Sequence, residues 1–173
     1  MTAKKTGRAS YYYANGRRVP LKIDREHVAI DLTSPALAGK RAADRLGPNI
    51  TKLPGSSLAI VARKLLPKDV LAALESNGAL HPVYQAAGAR LVAYPEVRVE
   101  VADAERRDVL SVIEGSGIAS EVGMSEGGEM TVRPRSRRGT DALSLANLIS
   151  ERAHPASAQA RFVRVVPRPN TAG

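Results

Sequence analysis

Between Glu96 and Val101 apolar and charged residues alternate without a break. That is the period of a strand with one buried face. The period then changes. Val109, Leu110, Val112 and Ile113 fall on one helical stripe, with Asp103 placed to cap the helix and Gly115 to stop it. Residues 118–124 and 129–133 read as extended pieces on either side of Ser125-Glu126-Gly127-Gly128, a tight-turn sequence. Ala142, Leu145, Ala146 and Ile149 form a second helical stripe, opened by Thr140 and Asp141 and closed before Pro155. Residues 161–166 alternate again, Phe162 against Arg161 and Val163 against Arg164.

The order β-α-β-β-α-β is that of the ferredoxin-like motif. The first half repeats the layout. Tyr11-Tyr12-Tyr13 leads into Asn15-Gly16, a type I′ hairpin signal, residues 17–23 return, and residues 27–32 alternate. Further on, Tyr84 leads to Gly88, residues 90–92 return, and residues 97–101 alternate. A spacing of about seventy residues between the two layouts points to internal duplication. The first copy continues with a helix over 36–46, weakened by Gly39. Strands follow over 49–53 and 57–62 around Pro54-Gly55. The apolar run from Leu58 to Ala62 predicts a strand buried on both faces. Pro67 suits the start of a helix that turns Val70, Leu71 and Leu74 inward, Gly78 ends it, and residues 80–85 close the copy.

The expected fold is therefore α+β, two tandem ferredoxin-like βαββαβ units with linking hairpins. A disordered basic N-terminus covers residues 1–9, the first unit with its leading hairpin 10–81, the second unit 82–166, and a tail 167–173. The expected core comprises Val28, Ile30, Leu58, Ile60, Leu71, Leu74, Val97, Val99, Val109, Ile113, Leu145, Ile149 and Val163.

Composition narrows the chemistry. The 173 residues include no Cys and no Trp, five Tyr and one Phe. Thiolate metal sites and disulfide scaffolds are excluded, and the core must be aliphatic. The three histidines, His27, His81 and His154, lack a second His or a carboxylate at metal-ligand spacing, so structural roles are expected and no metal or other cofactor is assigned. There is no nucleophile elbow, no Ser-His-Asp spacing and no phosphate-binding loop, so an enzyme is not expected. The formal net charge is +9, and the densest basic run is Arg133, Arg135, Arg137 and Arg138, which Pro134 and Gly139 place in a loop. Such a loop can touch phosphates, giving a nucleic-acid-binding or scaffold module as the alternative function. The strands offer no exposed aromatics for base stacking, which makes nucleic acid the weaker reading. The basic N-terminus is followed by no apolar run, and no stretch has the length of a membrane span, so a cytoplasmic protein without membrane partners is expected.

The stretch Tyr11-Tyr12-Tyr13-Ala14-Asn15-Gly16-Arg17-Arg18-Val19-Pro20-Leu21, followed by His27-Val28-Ala29-Ile30, resembles the start of the propeptide-like N-terminal domains of bacterial subtilisin-like serine proteases. Pro82-Val83-Tyr84, Leu91-Val92 and residues 96–101 look like their continuation. Residues 142–149, Phe162 and Pro169-Asn170 look like their last helix and closing strand. The resemblance covers nearly the whole chain. It departs from the family's pattern in that no catalytic domain follows Gly173, which implies a free-standing inhibitor, and a possible folding chaperone, of a protease on a separate chain. The resemblance further implies that the sheet lies on two protease helices. Glu126 and Glu129 would then cap the helices' N-termini, where free N–H groups favour a carboxylate. The tail, Pro167, Arg168, Pro169, Asn170, Thr171, Ala172 and Gly173, would enter the protease cleft as an added strand.

Overall fold

The structure is a computed structural model and describes residues 11–37 and 46–166. The chain is α+β, with antiparallel strand pairing. Its strands are β1 (Tyr11–Ala14), β2 (Arg17–Pro20), β3 (Lys22–Asp31), β4 (Ile50–Lys52), β5 (Leu58–Ala62), β6 (Leu80–Ala86), β7 (Ala89–Glu100), β8 (Ala119–Met124), β9 (Glu129–Pro134) and β10 (Ser157–Val165). Its helices among the described residues are α1 (Lys68–Ser76), α2 (Arg106–Ser116) and α3 (Gly139–Arg152). The expected basic terminus over 1–9 and the tail over 167–173 lie outside the described residues. So does most of the helix expected over 36–46, where Pro35–Leu37 form a single 3-10 turn.

Two compact units result. One joins Leu21–Tyr94 to the described part of Phe162–Gly173 and is called here the first-half unit. The other joins Pro95–Arg161 to the described part of Met1–Pro20 and is the second-half unit. The leading hairpin, expected to belong with residues 22–81, thus groups with the second half. The reason is side-chain chemistry. Tyr11 and Tyr13 donate to Glu151 of α3, and Asn147 of α3 donates to the Tyr11 carbonyl at 2.9 Å.

In the first-half unit the strands run β4-β5-β3-β6. Opposed residues of an antiparallel pair share a face, and Val28 opposes Val61 while Ala29 opposes Ile60. One face therefore carries Val28, Ile30 and Val61 with Leu37, Leu46, Leu66, Leu74 and Ala79. The other carries Ala29, Leu58, Ile60, Val83 and Val92 with Leu53, Tyr94, Val163 and Val165. Both faces of this sheet are apolar and buried, as the run from Leu58 to Ala62 requires. Leu71 and Val163 are half-buried packing partners and not fully enclosed core. Just past the end of helix α1, Gly78 takes a φ of +68°, which costs a glycine little.

In the second-half unit β7 pairs with β9 and β9 with β8, while β10 pairs with β7. Val97 opposes Val132 and Val99 opposes Met130, and all four are fully buried. Helices α2 and α3 pack on each other, α2 on β8 and α3 on β9. They contribute buried Val109, Ile113, Leu143, Leu145 and Ile149. Two expected helix ends differ. Asp103 sits in a 3-10 turn, Asp103–Glu105, and bonds the Arg106 guanidinium instead of capping the helix. The stop lies at Gly117, φ +66°, and not at Gly115, which stays helical. A left-handed residue is what ends the hydrogen-bond ladder, and Gly117 supplies it.

The hairpins β1–β2 and β6–β7 turn in the same way. Asn15 and Gly16 have φ of +50° and +72°, Ala87 and Gly88 have +47° and +74°. Positive φ at both central residues is the primed turn that matches strand twist. Asn suits it, whereas Ala87 is strained there.

Candidate interaction face

The alternation that buries Val97 and Val99 turns Glu96, Arg98 and Glu100 to the other side of the sheet. Register carries the row across: Arg98 opposes Thr131, Thr131 opposes Gly123, and Arg133 opposes Glu121. This face of the second-half unit is charged along its length, and its residues are exposed except for half-buried Glu96, Glu129 and Thr131.

Its two ends differ in sign. At one end Glu96, its side chain only 13 % exposed, lies among Arg98 at 3.4 Å, Arg133 at 3.5 Å and Arg161 at 3.8 Å. Arg133 also reaches Glu121 at 3.5 Å. Arginine suits this role because its planar fork can engage more than one carboxylate. At the other end Glu100 stands directly opposite Glu129. Like charges in that position repel. A shallow groove continues from them past Glu126 and Asp103, with Met124, Val101 and Ala102 in its lining. Arg106, bonded to Asp103, is the base among the residues that line it.

Of the residues singled out in the sequence, Glu126 is exposed at the turn, and Glu129 begins β9 half-buried. The turn itself is built by Ser125, whose carbonyl accepts the Gly128 amide at 3.1 Å and whose hydroxyl accepts the Glu129 amide at 3.1 Å. The tail residues Pro167, Arg168, Pro169, Asn170, Thr171, Ala172 and Gly173 lie outside the described residues. The arginine run is not one loop cluster. Arg133 belongs to β9 and to the face just described, Arg137 takes φ +56° in the following turn, and Arg138 precedes α3 with its amide on the Ser136 hydroxyl at 3.2 Å.

The histidines sit in local frameworks. His27 Nδ1 lies 3.0 Å from Asp24, a buried carboxylate that also accepts the amides of Glu26 and His27 and the Gln85 side chain, at the bulge of β3. Burial pushes the Asp24 carboxyl up, but the hydrogen bonds from His27, Glu26 and Gln85 outweigh it and hold its pKa below the ordinary value. His81 is buried in β6, opposite Ala29. His154 is exposed just past α3 with φ +47°. Among the described residues no group of three His, Asp or Glu side chains is placed to hold a metal ion, and no helix is long and apolar enough to cross a membrane.

The cluster the sequence reading missed is the hairpin clasp. Glu151 Oε1 accepts the Tyr11 hydroxyl at 2.6 Å, the Tyr13 hydroxyl at 3.0 Å and Arg18 Nη2 at 3.1 Å. Arg18 Nε donates to the Tyr13 hydroxyl at 2.8 Å, and its guanidinium stacks 4.5 Å from the Tyr11 ring centre. The hydrogen bond to Glu151 raises the Tyr11 phenol above its ordinary pKa and lowers that of the Glu151 carboxyl, against which partial burial works. The signal available in sequence was the Tyr-x-Tyr period, which sets Tyr11 and Tyr13 on one side. Nothing local names a partner 140 positions away.

No protein-family model matches the chain, and no curated protein is significantly similar to it.

Proposed function

We propose that the protein inhibits a subtilisin-like serine protease and assists its folding, with the charged sheet face of the second-half unit as the docking surface. The observation that carries this reading is the acidic end of that face. Glu100 and Glu129 are held opposite each other beside exposed Glu126. Like charges so placed repel modestly, and the N-terminus of a helix, with its free N–H groups and partial positive charge, is a partner that relieves the repulsion. The strand orders support the wider reading. With strands counted within each segment, both run second, third, first, fourth, as two tandem ferredoxin-like units would. The cleft-blocking role falls to residues 167–173. The protein acts in the cytoplasm and is not itself an enzyme.

A docking face of this kind offers charge more than apolar area, so its complex weakens with salt. Salt dependence alone does not separate protease docking from phosphate binding, which also weakens as salt rises.

The test is inhibition of a purified subtilisin-like protease by the full chain. Replacing both Glu126 and Glu129 by Gln is expected to raise the inhibition constant by about tenfold, on the scale of 1–2 kcal/mol for helix-terminus contacts. Deleting residues 167–173 is expected to leave binding and abolish inhibition. Failure of the full chain to bind or inhibit any such protease sinks the proposal, and an unchanged constant for the double variant removes the acidic end from it.

A further inference from the structure

We infer that the outer edge of β8 is a self-association site, where a second copy of the chain adds its own β8 in antiparallel register about Gly123. β8 is the end strand of its unit, and no strand of the described residues pairs with its outer side. The Ser125 amide donates to the Glu129 carbonyl, inward. By the alternation of an antiparallel ladder, the amides and carbonyls of Met124 and Val122 point outward, away from β9.

End strands are usually blunted by shortness, Lys, Pro or inward charges, because an open edge templates further pairing. The end strand of the first-half unit obeys this rule: β4 spans three residues, ends on Lys52 and is followed within two positions by Pro54. β8 does not. Its one register shift lies between Ala119 and Glu121, so the ladder from Val122 to Met124 is regular and carries neither Lys nor Pro. Val122 and Met124 share the face of Val132 and Met130, yet they remain 45 % and 47 % exposed where their strand partners are fully buried.

The edge is complementary to itself. With Gly123 on the two-fold axis, Val122 meets Met124 of the second copy and Met124 meets its Val122. Each such pair exchanges its outward amide and carbonyl bonds. Glu121 then faces Ser125, so no carboxylate opposes another. Gly123 brings no side chain to the axis, where the two backbones come closest. A stable interface buries about 1,200–2,000 Å², more than one short edge provides. The dimer is therefore weak and forms at high concentration. This inference does not rest on the inhibitor reading, which uses a face of the sheet and not its edge.

The test is sedimentation equilibrium of the full chain across rising concentration, without any protease present. The average mass is expected to climb towards that of a dimer. Val122→Lys with Met124→Lys is expected to abolish the climb while the circular dichroism spectrum stays unchanged. Because the chain has no other cysteine, Gly123→Cys gives a second reading. A side chain there meets only the Thr131 carbonyl at 4.0 Å, and the two thiols face each other across the axis, so mild oxidation is expected to yield a disulfide dimer. A chain that stays monomeric overturns the inference, and so does a dimer that the paired Lys variant leaves intact. A dimer in which Gly123→Cys fails to cross-link moves the contact elsewhere and also overturns it. A monomer whose Lys variant loses protease binding assigns the edge to the protease instead.

Discussion

The two halves of the chain share a strand order but treat the second face of the sheet in opposite ways. At corresponding positions the first-half unit has Ala29 opposite Ile60, and the second-half unit has Arg98 opposite Thr131. On the helix side they agree: Val28 and Ile30 in one, Val97 and Val99 in the other, all buried. The first-half sheet has therefore become a doubly covered layer, closed by Leu53, Tyr94, Val163 and Val165. The second-half sheet keeps a charged face. One strand order thus occurs in both halves, and the outward positions leave only the second-half sheet a charged, largely exposed face.

The sharpest way to break this comparison is to exchange burial cost between the two faces. Ile60→Ala deletes buried methylenes from the doubly covered layer and is expected to destabilise by about 2–4 kcal/mol in denaturant unfolding. Val99→Ala and Ile149→Ala, on the face the halves share, are expected to cost about as much. Thr131→Ala, at the position that matches Ile60, is expected to change stability by less than about 0.5 kcal/mol. Equal effects at 60 and 131 would remove the distinction between the faces.

A smaller effect is expected on the charged face itself. Glu96→Gln leaves Arg98, Arg133 and Arg161 without their shared carboxylate. Their side chains are about half exposed, so solvent screens each pair and the total loss is about 1 kcal/mol at low ionic strength. The loss should shrink as salt is added. A penalty that is independent of salt would mean that Glu96 acts through packing and not through charge.

Much of this contrast was legible as pattern. Strict alternation from Glu96 to Val101 announced one charged face, and the unbroken run from Leu58 to Ala62 announced two apolar ones. Asn15-Gly16 announced its turn because few residues tolerate positive φ at both positions. What pattern could not carry was long-range pairing. Tyr11, Tyr13 and Arg18 meet Glu151 across separations of 140, 138 and 133 positions, and the hairpin therefore groups with the second half, where sequence order had put it with the first. Arg133 looked like part of a basic loop because it adjoins Arg135, Arg137 and Arg138. It belongs to a strand whose partners Glu96 and Glu121 come from two other strands. The helix stop at Gly117 in place of Gly115 is a matter of which of two nearby glycines reaches the left-handed conformation, and composition is blind to that.

The smallest expected effect lies at the hairpin clasp, and it asks whether the hairpin is held by titratable bonds. The folded state lowers the Glu151 pKa, first through the Tyr11 hydrogen bond. A carboxyl depressed on folding adds stability that is complete above its unfolded pKa and is lost as pH falls through the folded one. The Tyr11 phenol is raised, again first through Glu151. Its contribution is complete below the unfolded phenol pKa and is lost as pH rises through the folded value. The clasp should therefore be tightest across the neutral range and loosen at both extremes. About a third of the Glu151 side chain is exposed, so solvent screening limits the effect to about 0.5 kcal/mol. The ring resonances of Tyr11 and Tyr13, followed against pH by NMR, are expected to shift with an acid midpoint below the ordinary glutamate range. Glu151→Gln should remove that midpoint and leave the buried resonances of Val97, Val99 and Ile149 in place. If the acid transition survives the substitution, a different group holds the hairpin.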